Sequence, residues 1–501
     1  MAVQKMSNSL LNPGEKLAAL EAFWGPARLT VGEEITMWPA EVFNMGLVRS
    51  AWGRHFQCGL DMDAYRFKGN LWGKMPMVLE LGDPLQMRPV RTVSLFDTLE
   101  MLVERAAAGD EISTEAQWGI KAFKQFDYAF ELTETKRFAP GDPLGPFLQS
   151  LRDADSEAGR VVDTSLWTQF QRQCVKSTAH GKPMKEPRLQ ESKFQSGYCL
   201  SYYWHSVVLF FFARARREAA LLKVPLYWCQ AADDIKGLDA HTPQERTSVL
   251  KALVRHWNIH DTAHLHTLLP TYPGQRVRLT EKLSADHRFV QEAEGTVICT
   301  VPDPEEYQDL KQSSVTLRYC PQGSWVCFDN CKKAPLAAKM ASKVDDAACE
   351  ALWRLTGLDP AAAYKPDDKI KPVHERLVFV SAVTRSFTRM INGKKWTVRR
   401  RQIPLTSALD RTIQSSQGTM RGGVIGDMGN MNTEPDAYWS AMYVLLSRAT
   451  RMEDLLIFRC PPKSFFDKGP PAYLKQFLHE VRPHIAEGRA KADELIAKFG
   501  W

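Results

Sequence analysis

Apolar positions in this chain come in short runs, and the spacing within each run points to an element. Leu29 and Val31 alternate into Gly32-Glu33-Glu34, as a strand that ends in two carboxylates. Met75 to Leu81 is a second apolar run, stopped by Gly82-Asp83-Pro84. Residues 14–24 read as the end of a helix. Residues 95–107 carry helical spacing through Leu95, Leu99, Leu102 and Val103. Phe126 to Leu132 reads as a strand, and Val207 to Ala213 as a buried strand feeding a helix. Strand, helix and strand are expected within 204–232. The polar stretch 150–200 reads as an irregular insertion. Helix, strand and polar turn recurring in this order predict an α/β layer with a parallel sheet.

From about 270 to 405 the pattern changes. Val277-Arg278-Leu279, Gly295 to Ile298, Val315-Thr316-Leu317 and Trp325 to Phe328 are short β-branched or aromatic runs between turns. Asn392-Gly393 sits between Phe387–Ile391 and Lys395–Val398, a two-residue hairpin signal. A helical segment, about 337–357, interrupts this β-rich stretch. Met442 to Leu446 and Leu455 to Phe458 then read as strands. A helix over 471–498 follows, with Leu474, Phe477, Leu478, Val481, Ile485 and Leu495 on one face.

Composition narrows the class only a little. The 501 residues exceed what one core usually supports, so several domains are expected. A net charge of +7 permits a polyanionic partner without requiring one. The apolar run around Val207 is far too short to span a bilayer, so no membrane partner is expected. Ten scattered cysteines and no evident targeting peptide read as reduced thiols of an intracellular protein, with nucleus and mitochondrion both open. Cys320, Cys327 and Cys331 lack the paired spacing of a zinc site.

Five segments carry candidate chemistry. Glu33-Glu34 at a strand end can hold Mg²⁺ through one carboxylate and orient a water through the other. In Gly82-Asp83-Pro84-Leu85-Gln86, the Gln86 amide can both donate to a phosphate oxygen and accept from a water. Arg137, just past the expected strand 126–132, offers a planar fork suited to phosphate. Thr412-Ile413-Gln414-Ser415-Ser416-Gln417-Gly418 offers hydroxyls, amides and close backbone approach for a sugar-phosphate chain. Upstream of it, Trp396 lies among Arg399, Arg400 and other basic residues, which suits single-stranded nucleic acid. Tyr443 to Arg448 delivers one more arginine. Each segment alone also has an ordinary reading as a solvated loop, turn or hairpin face.

In this order the five segments resemble motifs II to VI of superfamily 1B DNA helicases of the RecD/Pif type. Glu33 to Met37 looks like the DEISM-type Walker B, and Gly82 to Gln86 like the GDxxQ element. Leu132 to Arg137 looks like LTENxR, Thr412 to Gly418 like TIHKSQG, and Tyr443 to Arg448 like YVALSR. The resemblance implies ATP and Mg²⁺ as cofactors, single-stranded DNA as partner, 5′-to-3′ movement, and a place in DNA repair and recombination. It implies Glu33 on the metal, Glu34 on the water and Gln86 on the γ-phosphate. Arg137 and Arg448 would supply charge, and Gly418 would border the nucleotide. Thr412, Ser416, Gln417, Arg399, Arg400 and Trp396 would lie on DNA.

The implied fold is a P-loop NTPase (RecA-like) α/β fold. A partial RecA-like domain over 1–115 precedes the first part of a complete one over 116–270. An SH3-like β module occupies 271–400, the second RecA-like part 401–465, and a C-terminal helix 466–501. Three departures stand out. GxxxxGK[ST] is absent: Lys74, Lys182 and Lys394 follow glycines but precede Met75, Pro183 and Lys395. Glu33 replaces the usual Asp, and Gln414 and Ser415 replace His and Lys. A chain without the phosphate loop is expected to have negligible ATPase activity alone. The alternative is a non-catalytic protein that binds single-stranded nucleic acid. Protein partners are not legible.

Overall fold

The computed structural model describes residues 15–58, 72–89, 92–132, 135–176, 186–256, 258–283, 289–306, 310, 312–329, 377–429 and 435–499. The helical segment expected at 337–357 lies outside the described residues. The chain divides into two compact units. One comprises Met1–Glu186, Ser416–Gly422 and Met428–Trp501; the other comprises Pro187–Ser415 and Gly423–Asp427.

In the first unit, strands Leu29–Gly32 and Met77–Glu80 pair in parallel, with Gly32 opposite Glu80. Helices Ala40–Cys58 and Thr114–Phe123 build the core beside them. Phe43, Leu47, Ala51, Leu95, Phe96 and Ile120 are buried there. The rings of Phe43 and Phe96 both meet Phe123 edge-on, a geometry aromatic pairs prefer. Arg54 ties the turns around this core by donating to the carbonyls of Gly73, Trp24 and Gly25. A second aromatic cluster joins Phe147, Trp167, Phe170 and Phe466. The outer face of the strand pair is left in water: Leu29, Val31, Met77 and Leu79 are all exposed.

The second unit holds a parallel sheet in which Tyr198–Ser201 lies between Asp410–Thr412 and Val424–Asp427. It also holds a five-stranded antiparallel sheet ordered Leu377–Ser381, Gly323–Phe328, Glu294–Val301, Arg276–Leu279 and Leu405–Ser407. The four short runs expected between 277 and 328 are all strands. Strand Leu226–Gln230 pairs antiparallel with Leu268–Thr271 and parallel with Ser314–Leu317. Val383–Ile391 and Lys394–Gln402 form the expected hairpin. Asn392 and Gly393 at its tip have φ of 52° and 74°, the left-handed pair that a two-residue turn requires.

Four expected elements are different. Val207 to Ala213 belongs to the helix Trp204–Leu222, with Val207, Val208, Phe211, Ala215 and Ala219 buried at helical spacing. Met442 to Leu446 is the last part of the helix Pro435–Leu446. Met442 to Leu446 is buried at every position, whereas in the first run Leu209 and Ala213 stay exposed although they are apolar. Phe126 to Leu132 forms no strand. Its alternating side chains stay largely in water, and Ala129 N–H instead donates to the His484 carbonyl of the C-terminal helix at 3.2 Å. The stretch 150–200 is not irregular throughout: it contains the helix Thr164–Gln171 and the strand Tyr198–Ser201. The C-terminal helix runs over Ala472–Phe499.

Candidate functional site

The strands Leu29–Gly32 and Met77–Glu80 end side by side, and their loops stay together. Leu81 N–H donates to the Gly32 carbonyl at 2.8 Å, and Ile35 N–H to the Leu81 carbonyl at 3.1 Å. Between these bonds the chain turns sharply at Glu34, whose φ of 53° and ψ of 44° are left-handed. Non-glycine residues adopt this region infrequently, and a site that fixes a side chain's direction is one place where they do. The turn carries the Glu34 carboxylate inward. Its Oε2 is buried and has no hydrogen-bond partner. Glu33 stays exposed, with its carbonyl accepting from Trp38 Nε1 at 3.1 Å.

The second loop is shaped by Asp83. Its Oδ1 accepts from Leu85 N–H at 3.1 Å and its carbonyl from Gln86 N–H at 3.0 Å. Its Oδ2 accepts from the Tyr443 hydroxyl at 3.1 Å. Burial and this carboxylate push the Tyr443 phenol above its ordinary range. The same turn buries Gln86, whose Oε1 accepts from Gln417 Nε2 at 3.2 Å.

Gln417 belongs to a tight turn over 416–419 closed by Thr419 N–H donating to the Ser416 carbonyl. Gly418 holds φ at +74°, and a Cβ there would sit 3.6 Å from Glu34 Oε1. Arg448 fastens this turn from the end of the helix Pro435–Leu446. Its guanidinium is fully buried and donates to the carbonyls of Ser416 at 3.3 Å, Thr419 at 3.2 Å and Val444 at 2.9 Å, and to Ser447 Oγ at 2.7 Å. Burial, aided by the like charge of Arg137, pushes its pKa down to about 10, while Glu34 and Asp83 oppose the shift. Arg137 itself is exposed, with its N–H on Thr135 Oγ1.

Glu34, Gln86, Arg137, Gly418 and Arg448 are therefore brought into one neighbourhood, together with Gln417. Asp83 and Tyr443 belong to it too. Both lay within the quoted segments, but no spacing rule links a carboxylate at 83 with a phenol at 443.

The residues expected on DNA are scattered. Ser416 is buried in the same turn. In the second unit, Thr412 is buried at a strand end and donates to Ser415 Oγ. Arg400 is fully buried, with Asp233 receiving both its Nε and Nη2 at 2.7 Å. Trp396 packs in a small core with Val249, Leu253 and Val398. As surface contacts for DNA, Arg400 and Trp396 are corrected. They share the inward face of their strand, whereas Arg399, one residue away, faces solvent near Asp234.

No family model and no curated protein matches the chain. Solved structures do. Bacteroides Pif1 bound to ssDNA matches 95% of this chain and 79% of its own, with a TM-score of 0.52 at 13% identity. The fold is that of a Pif1-type helicase. The structure of Bacteroides Pif1 in complex with ADP-AlF3 and ssDNA matches over the same shares, with a TM-score of 0.51 at 13% identity. The Pif1-type fold is the mixed α/β, RecA-like P-loop NTPase architecture, with parallel sheets in both units described above.

Magnesium and a nucleoside triphosphate place different demands on these residues. The orphaned Glu34 Oε2 fits a neighbouring cation or an ordered water. The triphosphate does not fit. Arg448 is turned onto the chain's own carbonyls, and the sequence contains no GxxxxGK[ST] to cradle phosphates. Among the described residues no group of three or more His, Cys, Asp or Glu is placed to hold a metal ion by itself. No helix among them is long and apolar enough to cross a membrane.

Proposed function

We propose that this chain is a helicase-derived protein that binds single-stranded DNA and, by itself, does not turn over ATP. The observation that carries this reading is the state of Arg448. A guanidinium that stabilises phosphoryl transfer must face the transferring group. Here every side of it is engaged by the turn 416–419 and its own helix. The same bonds hold Gln417 against Gln86, so the cluster serves to rigidify the loops rather than to grip a triphosphate. In this reading 1–115 is a partial RecA-like domain, and 116–270 with 401–465 a complete one. Residues 271–400 are the SH3-like module, and 466–501 the closing helix. Arg399, the exposed member of the set, remains on the nucleic-acid side. Participation in DNA repair or recombination follows from the resemblance and is part of the proposal.

A second reading is favoured by Glu34 Oε2, buried without a partner. It is a competent motor whose phosphate-binding loop is supplied from outside these residues, with Glu34 orienting the water and Glu33 and Mg²⁺ neutralising charge.

The deciding experiment is an ATPase assay on the purified chain with and without oligo(dT), beside a DNA-binding titration with and without nucleotide. Salt-dependent DNA binding, unaffected by nucleotide and without hydrolysis, is the expected result. DNA-stimulated hydrolysis abolished by Glu34→Gln would overturn it in favour of the second reading.

A further inference from the structure

The second unit carries a group of rings that none of the site segments includes. The strand Tyr198–Ser201 ends level with its parallel neighbours: Ser201 pairs with both Thr412 and Asp427. In open α/β sheets, ligands lie beyond this carboxyl edge. Here the edge is aromatic. Tyr202 and Tyr203 meet edge-on at 5.1 Å, and Tyr203 stacks on His205 at 5.5 Å. Trp204 meets His260 at 5.3 Å, and His260 meets His264 at 5.1 Å. Tyr202, Tyr203, Trp204 and His264 are half-buried, and His205 and His260 are exposed, so ring surface remains open to solvent.

Three further features mark the group as built for a ligand. Trp204, His260 and His264 line one small cleft with Ser415 and Thr280. Thr280 is 3% exposed, and its Oγ1 has no partner. Ala263 and His264 hold φ of 52° and 63°, two successive left-handed non-glycine residues. That strain is retained where it aims a side chain. Finally, the 19-residue helix Trp204–Leu222 starts at Tyr203 without a side-chain cap, so its first turn faces the same edge.

We infer that this edge is a stacking platform for a nucleobase of single-stranded DNA, with the uncapped helix start receiving the adjoining phosphate. The inference rests on the DNA-binding reading above and deepens it by naming the contact. Charge is not what the cleft offers: its one arginine, Arg278, is buried and paired with Glu292. Rings accept any base, so little sequence preference is expected.

The test uses the full chain and a fluorescein-labelled oligo(dT), roughly 16 nucleotides long to fill one single-strand site. An abasic oligonucleotide of equal length is the control. His264→Gly removes one ring and relieves the left-handed strain, so its melting temperature should equal or exceed that of the parent. Tyr203→Leu removes another ring and keeps its apolar bulk. Each should weaken oligo(dT) binding by roughly 5- to 150-fold while the salt slope is unchanged. The abasic strand should bind all three proteins weakly. Variants that bind oligo(dT) like the parent, or a parent that binds the abasic strand equally well, would overturn the platform while leaving DNA binding intact. A parent that binds neither strand would overturn the DNA-binding reading and the platform with it.

Discussion

Gln417 Nε2 donates to Gln86 Oε1 at 3.2 Å, joining side chains 331 positions apart in sequence. Gln86 is buried, so its oxygen has no ready substitute donor. Gln417→Ala is expected to cost about 1–2 kcal/mol through the orphaned acceptor. Urea unfolding should show a lower midpoint with an unchanged slope, and a double-mutant cycle with Gln86→Leu should recover part of the loss.

Arg448→Met leaves the carbonyls of Ser416, Thr419 and Val444 without this donor inside the protein. A loss of about 3 kcal/mol or more is expected by thermal or urea denaturation. Lysine should not rescue it, because one ammonium lacks the planar fork that reaches carbonyls on two segments at once. A fully stable Arg448→Lys would show that the turn holds itself closed.

Adjacent arginines should behave in opposite ways. Arg400→Met breaks a buried pair and strands Asp233, so a cost of about 3–5 kcal/mol is expected. Arg399→Ala should leave stability within about 0.5 kcal/mol. If Arg399 touches a phosphate, the same variant should reduce the salt slope of single-strand binding by about 0.7. Calorimetry and a salt titration on the same two proteins separate the effects.

Glu80 carries a pH signature. Its two oxygens are buried without partners beside Gly32, and burial raises its pKa to about 7. The folded state therefore binds this proton more tightly than the unfolded chain. Stability from this group is fully present below pH 4.5 and is lost as pH rises to 7, by about 3 kcal/mol at most. His266 works in the other direction. Burial holds its pKa down at about 3, so its contribution is present above pH 6.5 and lost as pH falls. The measurement is the difference in unfolding free energy between parent and Glu80→Gln from pH 5 to 8. A difference that does not change with pH would refute the assignment.

The places where sequence and structure part follow a physical rule. Asn392-Gly393 was legible because its conformation is local: both residues must take positive φ, and few pairs do so cheaply. Met442 to Leu446 was not, because a run buried at every position has no period to read, and in Val207 to Ala213 the exposed Leu209 is as apolar as its buried neighbours. The loops bearing Glu34 and Gln86 were placed by strand ends that the pattern marked clearly. Counting charge along the hairpin puts Arg400 on its surface, whereas alternation along the strand puts it inside. Trp396, Val398, Arg400 and Gln402 share one inward face, and Asp233 meets Arg400 in strand register. The ring group at Tyr202–His205 is not legible in the sequence, because its other members, His260 and His264, come from a segment more than fifty residues away.

Leu29, Val31, Met77 and Leu79 point into water from one face of a parallel strand pair. An exposed apolar strip of this kind favours association between copies. Sulfate, which strengthens apolar burial, should promote self-association at low protein concentration, and a polar residue at Leu29 or Met77 should extend the soluble range.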